Sequence, residues 1–171
     1  DFERVSTLAG NGHAGTHDGT PHQATFFDPA GLAIDATGTI FVTDAASHSL
    51  RRVSPSGDVT TLAGNGKPGS ADGKGVSAQF SFPYGVAVGP DGMLYVADSG
   101  NHKVRVVSQH GDVKTLAGSG SLGFRDGSST SAMFSHPTGI AVDGEGTIFV
   151  TDRGNHRVRK VTSKGTVSTL A

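Results

Sequence analysis

Ile40-Phe41-Val42-Thr43-Asp44, Leu94-Tyr95-Val96-Ala97-Asp98 and Ile148-Phe149-Val150-Thr151-Asp152 are one stretch written three times, 54 residues apart. The residues around it repeat at the same spacing. Val5, Val59, Val113 and Val167 are equivalent, as are Asp18, Asp72 and Asp126, and Pro29, Pro83 and Pro137. No copy has gained or lost a residue. A fixed period of this length marks a propeller or solenoid, in which each unit buries its apolar faces only against its neighbours.

The quoted stretch is the second of four β-type runs per copy. The first is Gly31 to Ile34, Gly85 to Val88 and Gly139 to Val142. The third is Leu50 to Val53 and its copies, and the fourth Val59 to Leu62 and its copies. Turn glycines separate them, and no segment keeps a helical period over three turns. The first run carries Gly and Ala where sheets converge on an axis; the second carries Phe41, Tyr95 and Phe149, where a wedge widens. That gradient favours a propeller over a linear solenoid. The fold expected is all-β: a β-propeller of four-stranded antiparallel blades, three per chain, at 31–63, 85–117 and 139–171. It forms a single domain over 1–171, with repeats 5–58, 59–112 and 113–166 and a terminal outer strand at 167–171. Residues 1–9 repeat that outer strand. The long connection from Gly10 to Pro29, and its copies, is read as structural: Asp18-Gly19 as a turn, Phe26 as a plug between sheets.

Composition excludes some functions. Only 17% of residues are charged and the net charge is −1, so no strong attraction to nucleic acid or a membrane surface is implied. No apolar run is long enough to span a bilayer, and no signal-like segment opens the chain. Without cysteine there is neither a disulfide nor a thiolate metal site, and the compartment stays undetermined.

Phe80-Ser81-Phe82-Pro83-Tyr84-Gly85-Val86-Ala87-Val88, followed by Leu94-Tyr95-Val96-Ala97-Asp98-Ser99-Gly100-Asn101-His102-Lys103-Val104-Arg105, resembles an NHL repeat. Asp152-Arg153-Gly154-Asn155-His156-Arg157-Val158-Arg159 in copy three matches equally well, and copy one departs at Ala45-Ala46-Ser47. The resemblance covers essentially the whole chain. It implies a propeller, most often six-bladed, with the first strand innermost.

Asp44, His48 and Arg51 form a catalytic-looking set, but Asp98, His102 and Arg105 and then Asp152, His156 and Arg159 repeat it in every copy. A polar set in every blade is expected to hold blades together rather than to catalyse. Zinc-dependent amidating lyases resemble NHL propellers, but a catalytic zinc needs about three converging protein ligands. The channel-facing positions here offer Asp28, Phe82 and His136, then Ala30, Tyr84 and Thr138, which is no ligand ring. His13, His17 and His22 cluster only in the first connection and read as surface residues. No metal or cofactor is assigned. Some NHL propellers bind single-stranded RNA, but the basic residues at Arg51-Arg52, Lys103 to Arg105 and Arg157 to Lys160 have no aromatic stacking platform.

The reading that remains is a non-enzymatic interaction scaffold. It binds a protein or peptide ligand at the blade-end loops and channel mouth, through Asp28, Ala30, Phe82, Tyr84, His136 and Thr138, where otherwise matching copies differ. A metal-dependent lyase or hydrolase completed by a second half-ring is the alternative, and RNA binding comes third. Propellers close with about four to eight blades. Three blades therefore imply a homodimer completing six, or a part of a longer array.

Overall fold

The computed structural model describes residues 5–171 and is all-β, with only single 3-10 turns besides strands. Strands form where β-branched and aromatic runs lie between turn residues. In blade one, β1 (Pro29–Ile34), β2 (Ile40–Asp44), β3 (Ser49–Val53) and β4 (Val59–Ala63) pair antiparallel in sequence order. Blade two adds a short strand from the preceding connection, β5 (Gly73–Lys74). It pairs outside β9 (Asp112–Ala117), followed inward by β8 (Lys103–Val107), β7 (Leu94–Asp98) and β6 (Pro83–Val88). Blade three is β10 (Pro137–Val142), β11 (Ile148–Asp152), β12 (Arg157–Val161) and β13 (Val167–Thr169).

Each innermost strand begins two residues before the expected start. Its proline pairs with the aspartate ending the second strand, Pro83 with Asp98 for example, across a register shift. Proline is tolerated there because it opens the strand and owes the ladder no N–H. The connections do more than the sequence suggested. Gly19 bridges to Val59 and Gly127 to Val167, the same outer rung that β5 supplies in blade two.

β1, β6 and β10 stand side by side at the axis. Their approach is so close that a Cβ on Gly85 would overlap the Thr138 carbonyl oxygen, and one on Gly31 that of Tyr84. Farther out the gaps hold the cores. Phe41, Leu50 and Ala63 of blade one pack against Phe80, Leu94, Val96 and Val107, and Tyr95 and Val104 of blade two pack against Phe134, Ile148 and Val150. The hydrophobic effect therefore acts between blades rather than within one.

Both ends of the array show the consequence. Leu32 of blade one is 71% exposed, whereas its equivalent Val86 is 6%. Phe149 of blade three is only half-buried, whereas Phe41 is sealed. Val5 to Ala9, expected as an extra outer strand, forms no strand; residues 1–4 lie outside the described residues. Yet a Cβ at Gly57 would meet the Leu8 carbonyl, just as one at Gly111 would meet that of Leu62. The segment follows the path of a preceding blade's outer strand, without inner strands among the described residues to pair with.

Candidate functional site

The recurring Asp–Arg pair is buried in all three blades. Arg105 is wholly enclosed. Its Nη1 donates to the Asp98 carboxylate at 2.7 Å and the Gln79 carbonyl at 2.9 Å; its Nη2 donates to Asp72 at 2.7 Å and the Ala71 carbonyl at 3.1 Å. Arg51 and Arg159 repeat the pattern on Asp44 with Asp18 and on Asp152 with Asp126. Each guanidinium also lies about a ring's reach from the plug phenylalanine, at 5.2, 5.3 and 5.0 Å from Phe26, Phe80 and Phe134. The arginine thus ties the long connection to its blade, and its position behind that connection leaves no access for a substrate.

The second carboxylate of this clamp was missed in the sequence. Asp72 looked like half of an Asp-Gly turn, but it also accepts from the Thr115 hydroxyl at 3.0 Å on the outer strand. Burial opposes its ionisation, and bonds from Thr115 and Arg105 outweigh that, leaving the carboxyl below its ordinary range. Its period-locked spacing from the arginine was the signal available.

The histidines do something different from the aspartates beside them. His48, His102 and His156 sit at left-handed backbone angles, φ 50°, 55° and 55°, closing the turn after the second strand. The His48 Nδ1 accepts the Phe82 N–H of the next blade at 3.1 Å, and the His102 Nδ1 accepts the His136 N–H at 3.2 Å. The imidazole is an inter-blade link, which the within-blade reading of the set did not anticipate. The turn of copy one also differs as its sequence suggested. Gly100 and Gly154 bring their N–H groups to the Ser81 and Ser135 carbonyls, where a Cβ would collide. Ala46 holds that place in blade one, and the bond shifts to Ala45 N–H with the Asp28 carbonyl, 2.8 Å.

An acceptor Nδ1 must be unprotonated. Burial holds the His48 imidazole below its ordinary range against a raising pull from Asp98; burial and His136 do the same to His102, against Asp152. With the folded value below the unfolded one, the unfolded chain binds more protons as pH falls. The stabilisation is complete above about pH 6.5 and is lost as pH drops through the folded values. Urea midpoints are therefore expected to fall between about pH 7 and about pH 5, and His102→Asn, which tolerates the left-handed turn, to flatten that slope. An unchanged slope would assign the acid sensitivity elsewhere.

Of the six channel-mouth positions, Ala30, Tyr84 and Thr138 come together. With Gly31, Gly85 and Gly139 of the innermost strands they line an open hollow of ≈ 360 Å³ at the axis. Phe82 and His136 stand beside it at the inter-blade links, edge-on to His48 and His102 with ring centroids 4.6 Å apart. Asp28, two residues before Ala30, is exposed in blade one, with no turn histidine of a preceding blade opposite it among the described residues. Phe82 and Tyr84 remain 46% and 39% exposed, two aromatic rings held at the surface of a rigid frame.

Among the described residues no group of three or more His, Asp or Glu is placed to hold a metal ion, the histidines of the first connection included. The three recurring arginines are committed to the interior, Lys103 donates to Ser70 at 2.6 Å, and Arg157 covers Phe124 at 4.0 Å. Of the basic segments read in the sequence, Arg52, Arg157 and Lys160 are the exposed members. No helix among the described residues is long and apolar enough to cross a membrane.

The family described as NHL repeat matches residues 80–107 and 134–161, within copies two and three. NHL repeat-containing protein 2 of Bos taurus is 35% identical over 168 residues, covering 89% of this chain and 23% of that protein. Protein SUPPRESSOR OF QUENCHING 1, chloroplastic, of Arabidopsis thaliana is 32% identical over 166 residues, covering 90% of this chain and 16% of its own length. Among solved structures, an auxiliary nutrient binding protein from Bacteroides ovatus superposes with a TM-score of 0.67 at 28% identity, over 82% of this chain and 37% of that one. The chain spans about a fifth of the length of the two sequence relatives.

Proposed function

We infer that this chain, which belongs to the NHL-repeat β-propeller family, works as a non-enzymatic interaction scaffold that binds a protein or peptide ligand at its channel mouth. The observation that carries this reading is the hollow where Ala30, Tyr84 and Thr138 converge, with Phe82 and Tyr84 exposed at its rim. Exposed aromatic rings on a stiff support bury much area at little entropic cost, which is what peptide recognition requires. The polar machinery of the blades, by contrast, is consumed in holding them together. Ring closure belongs to the same reading. The bare flanks of blades one and three need covering, and a second copy supplies three more blades. The Bacteroides ovatus propeller, of which this chain covers 37%, supports a complete ring larger than three blades.

Peptide libraries panned against the purified chain are expected to enrich aromatic or extended ligands whose affinity falls about tenfold in Tyr84→Ala, the loss of one well-packed aromatic anchor. His136→Ala is expected to weaken them less. Ligands indifferent to both changes would place the binding surface elsewhere, and stoichiometric zinc or calcium in the purified protein would favour a metal-dependent lyase or hydrolase instead.

A further inference from the structure

The two open flanks of the array carry opposite polar groups at matching places. At each internal gap, the turn histidine of one blade faces the residue before the next blade's first proline: His48 faces Phe82, and His102 faces His136. Continued by one blade, that register sets His156 opposite the position of Asp28. His156 is exposed and shares an open hollow on the flank of blade three with Arg153 and Arg157. Asp28 is exposed and acidic where the internal gaps have Phe82 and His136. Its N–H is already bonded to Asp44 at 2.8 Å, so the donor that serves the internal gaps is occupied, and the carboxylate is the group left to meet an imidazole.

The backbone fits the same continuation. The surfaces over Gly31 and Gly85 are filled by the carbonyls of Tyr84 and Thr138 from the next blade, whereas the nearest atoms over Gly139 are those of the Thr151 side chain, with no carbonyl closer than they are. The Ala30 carbonyl is the counterpart of those two. Both halves of this match lie on one chain, so two copies related by a two-fold axis satisfy both seams at once.

We propose that a second copy of this chain docks its blade one on blade three of the first, and the reverse, with the Asp28 carboxylate of one copy held by the His156 imidazole and Arg153 guanidinium of the other and the Ala30 carbonyl seated over Gly139. The proposal rests on the ring closure inferred above and specifies its seam. Internal gaps are joined by main-chain N–H to neutral imidazole, and the closing seams by a carboxylate on a basic cluster. That difference makes closure selective: a charged seam discourages blade one from pairing with anything that lacks the cluster.

Sedimentation of the 171-residue chain across the micromolar range tests it. The wild-type chain is expected to be a dimer, and a monomer throughout would overturn both the seam and the closure on which it rests. Gly139→Ala meets the Thr151 hydroxyl within one copy, at 2.9 Å, and the Ala30 carbonyl across the seam. Made in a Thr151→Ala background, which clears the first contact, it is expected to weaken the dimer relative to Thr151→Ala alone. Asp28→Lys and Arg153→Glu are each expected to weaken it by at least about tenfold, and the double variant to recover most of that loss, since the two fixed charges of the seam are exchanged. Asp28 and Arg153 are both exposed and neither holds a left-handed turn as His156 does, so neither change threatens the fold. A dimer weakened by Gly139→Ala but unmoved by the charge variants, or broken by them without recovery in the double, would overturn the seam while leaving closure standing.

Discussion

Arg105→Met is expected to destabilise the chain by about 3–5 kcal/mol, because it leaves the enclosed Asp98 carboxylate without its counter-charge. The loss reaches further than one ion pair. Asp72, the Gln79 carbonyl and the Ala71 carbonyl all lose a donor, so the connection between blades one and two comes free of the blade it serves. Arg105→Lys is expected to recover little: an ammonium is a single point of charge and cannot reach two carboxylates on opposite sides. Pairing Arg105→Met with Asp98→Leu is expected to restore much of the stability, since an apolar pair costs less than a stranded charge. Urea unfolding of the three variants decides the matter. A single-variant loss within about 1 kcal/mol would mean that the pair is dispensable. An active-site role would look different, with stability kept and binding lost.

The fold was legible because every blade repeats its own evidence for it. Strand order, the antiparallel sheets and the placement of Gly31 and Gly85 at the axis all follow from small, large and turn residues recurring in phase. What escaped was polar and reached across long separations. Asp72 lies 33 residues from Arg105, and turn chemistry explained its presence locally, so no local pattern asked for a second role. The histidine link spans 34 residues and uses a main-chain N–H, which no side-chain pattern reveals. Val5 to Ala9 has the sequence of a strand and lacks one, because a strand is a pairing and not a composition. At the channel mouth, divergence between copies picked out Ala30, Tyr84 and Thr138, which converge, and also Asp28, which does not. Position within a repeat fixes a residue's place in its blade, while convergence depends on which blades surround it.

That dependence governs the last expected result. Phe26, Phe80 and Phe134 are the same residue of the repeat, yet Phe80 and Phe134 are fully buried and Phe26 only partly. Phe80 sits in the gap between blades one and two, against residues of both; Phe26 sits on the flank of blade one, which has no blade before it among the described residues. Phe80→Ala is expected to cost about 3–5 kcal/mol, as a large cavity in a packed interior does. Phe26→Ala, measured where the chain is monomeric, is expected to cost less than half of that, because a surface already open to water leaves little cavity to create. Equal losses at the two sites would mean that the core lies within blades rather than between them. If a second copy covers the flank, the penalty at Phe26 should climb toward that at Phe80 as protein concentration rises, while the penalty at Phe80 stays constant. The same substitution would then read the packing of a closed ring from a position that the single chain leaves exposed.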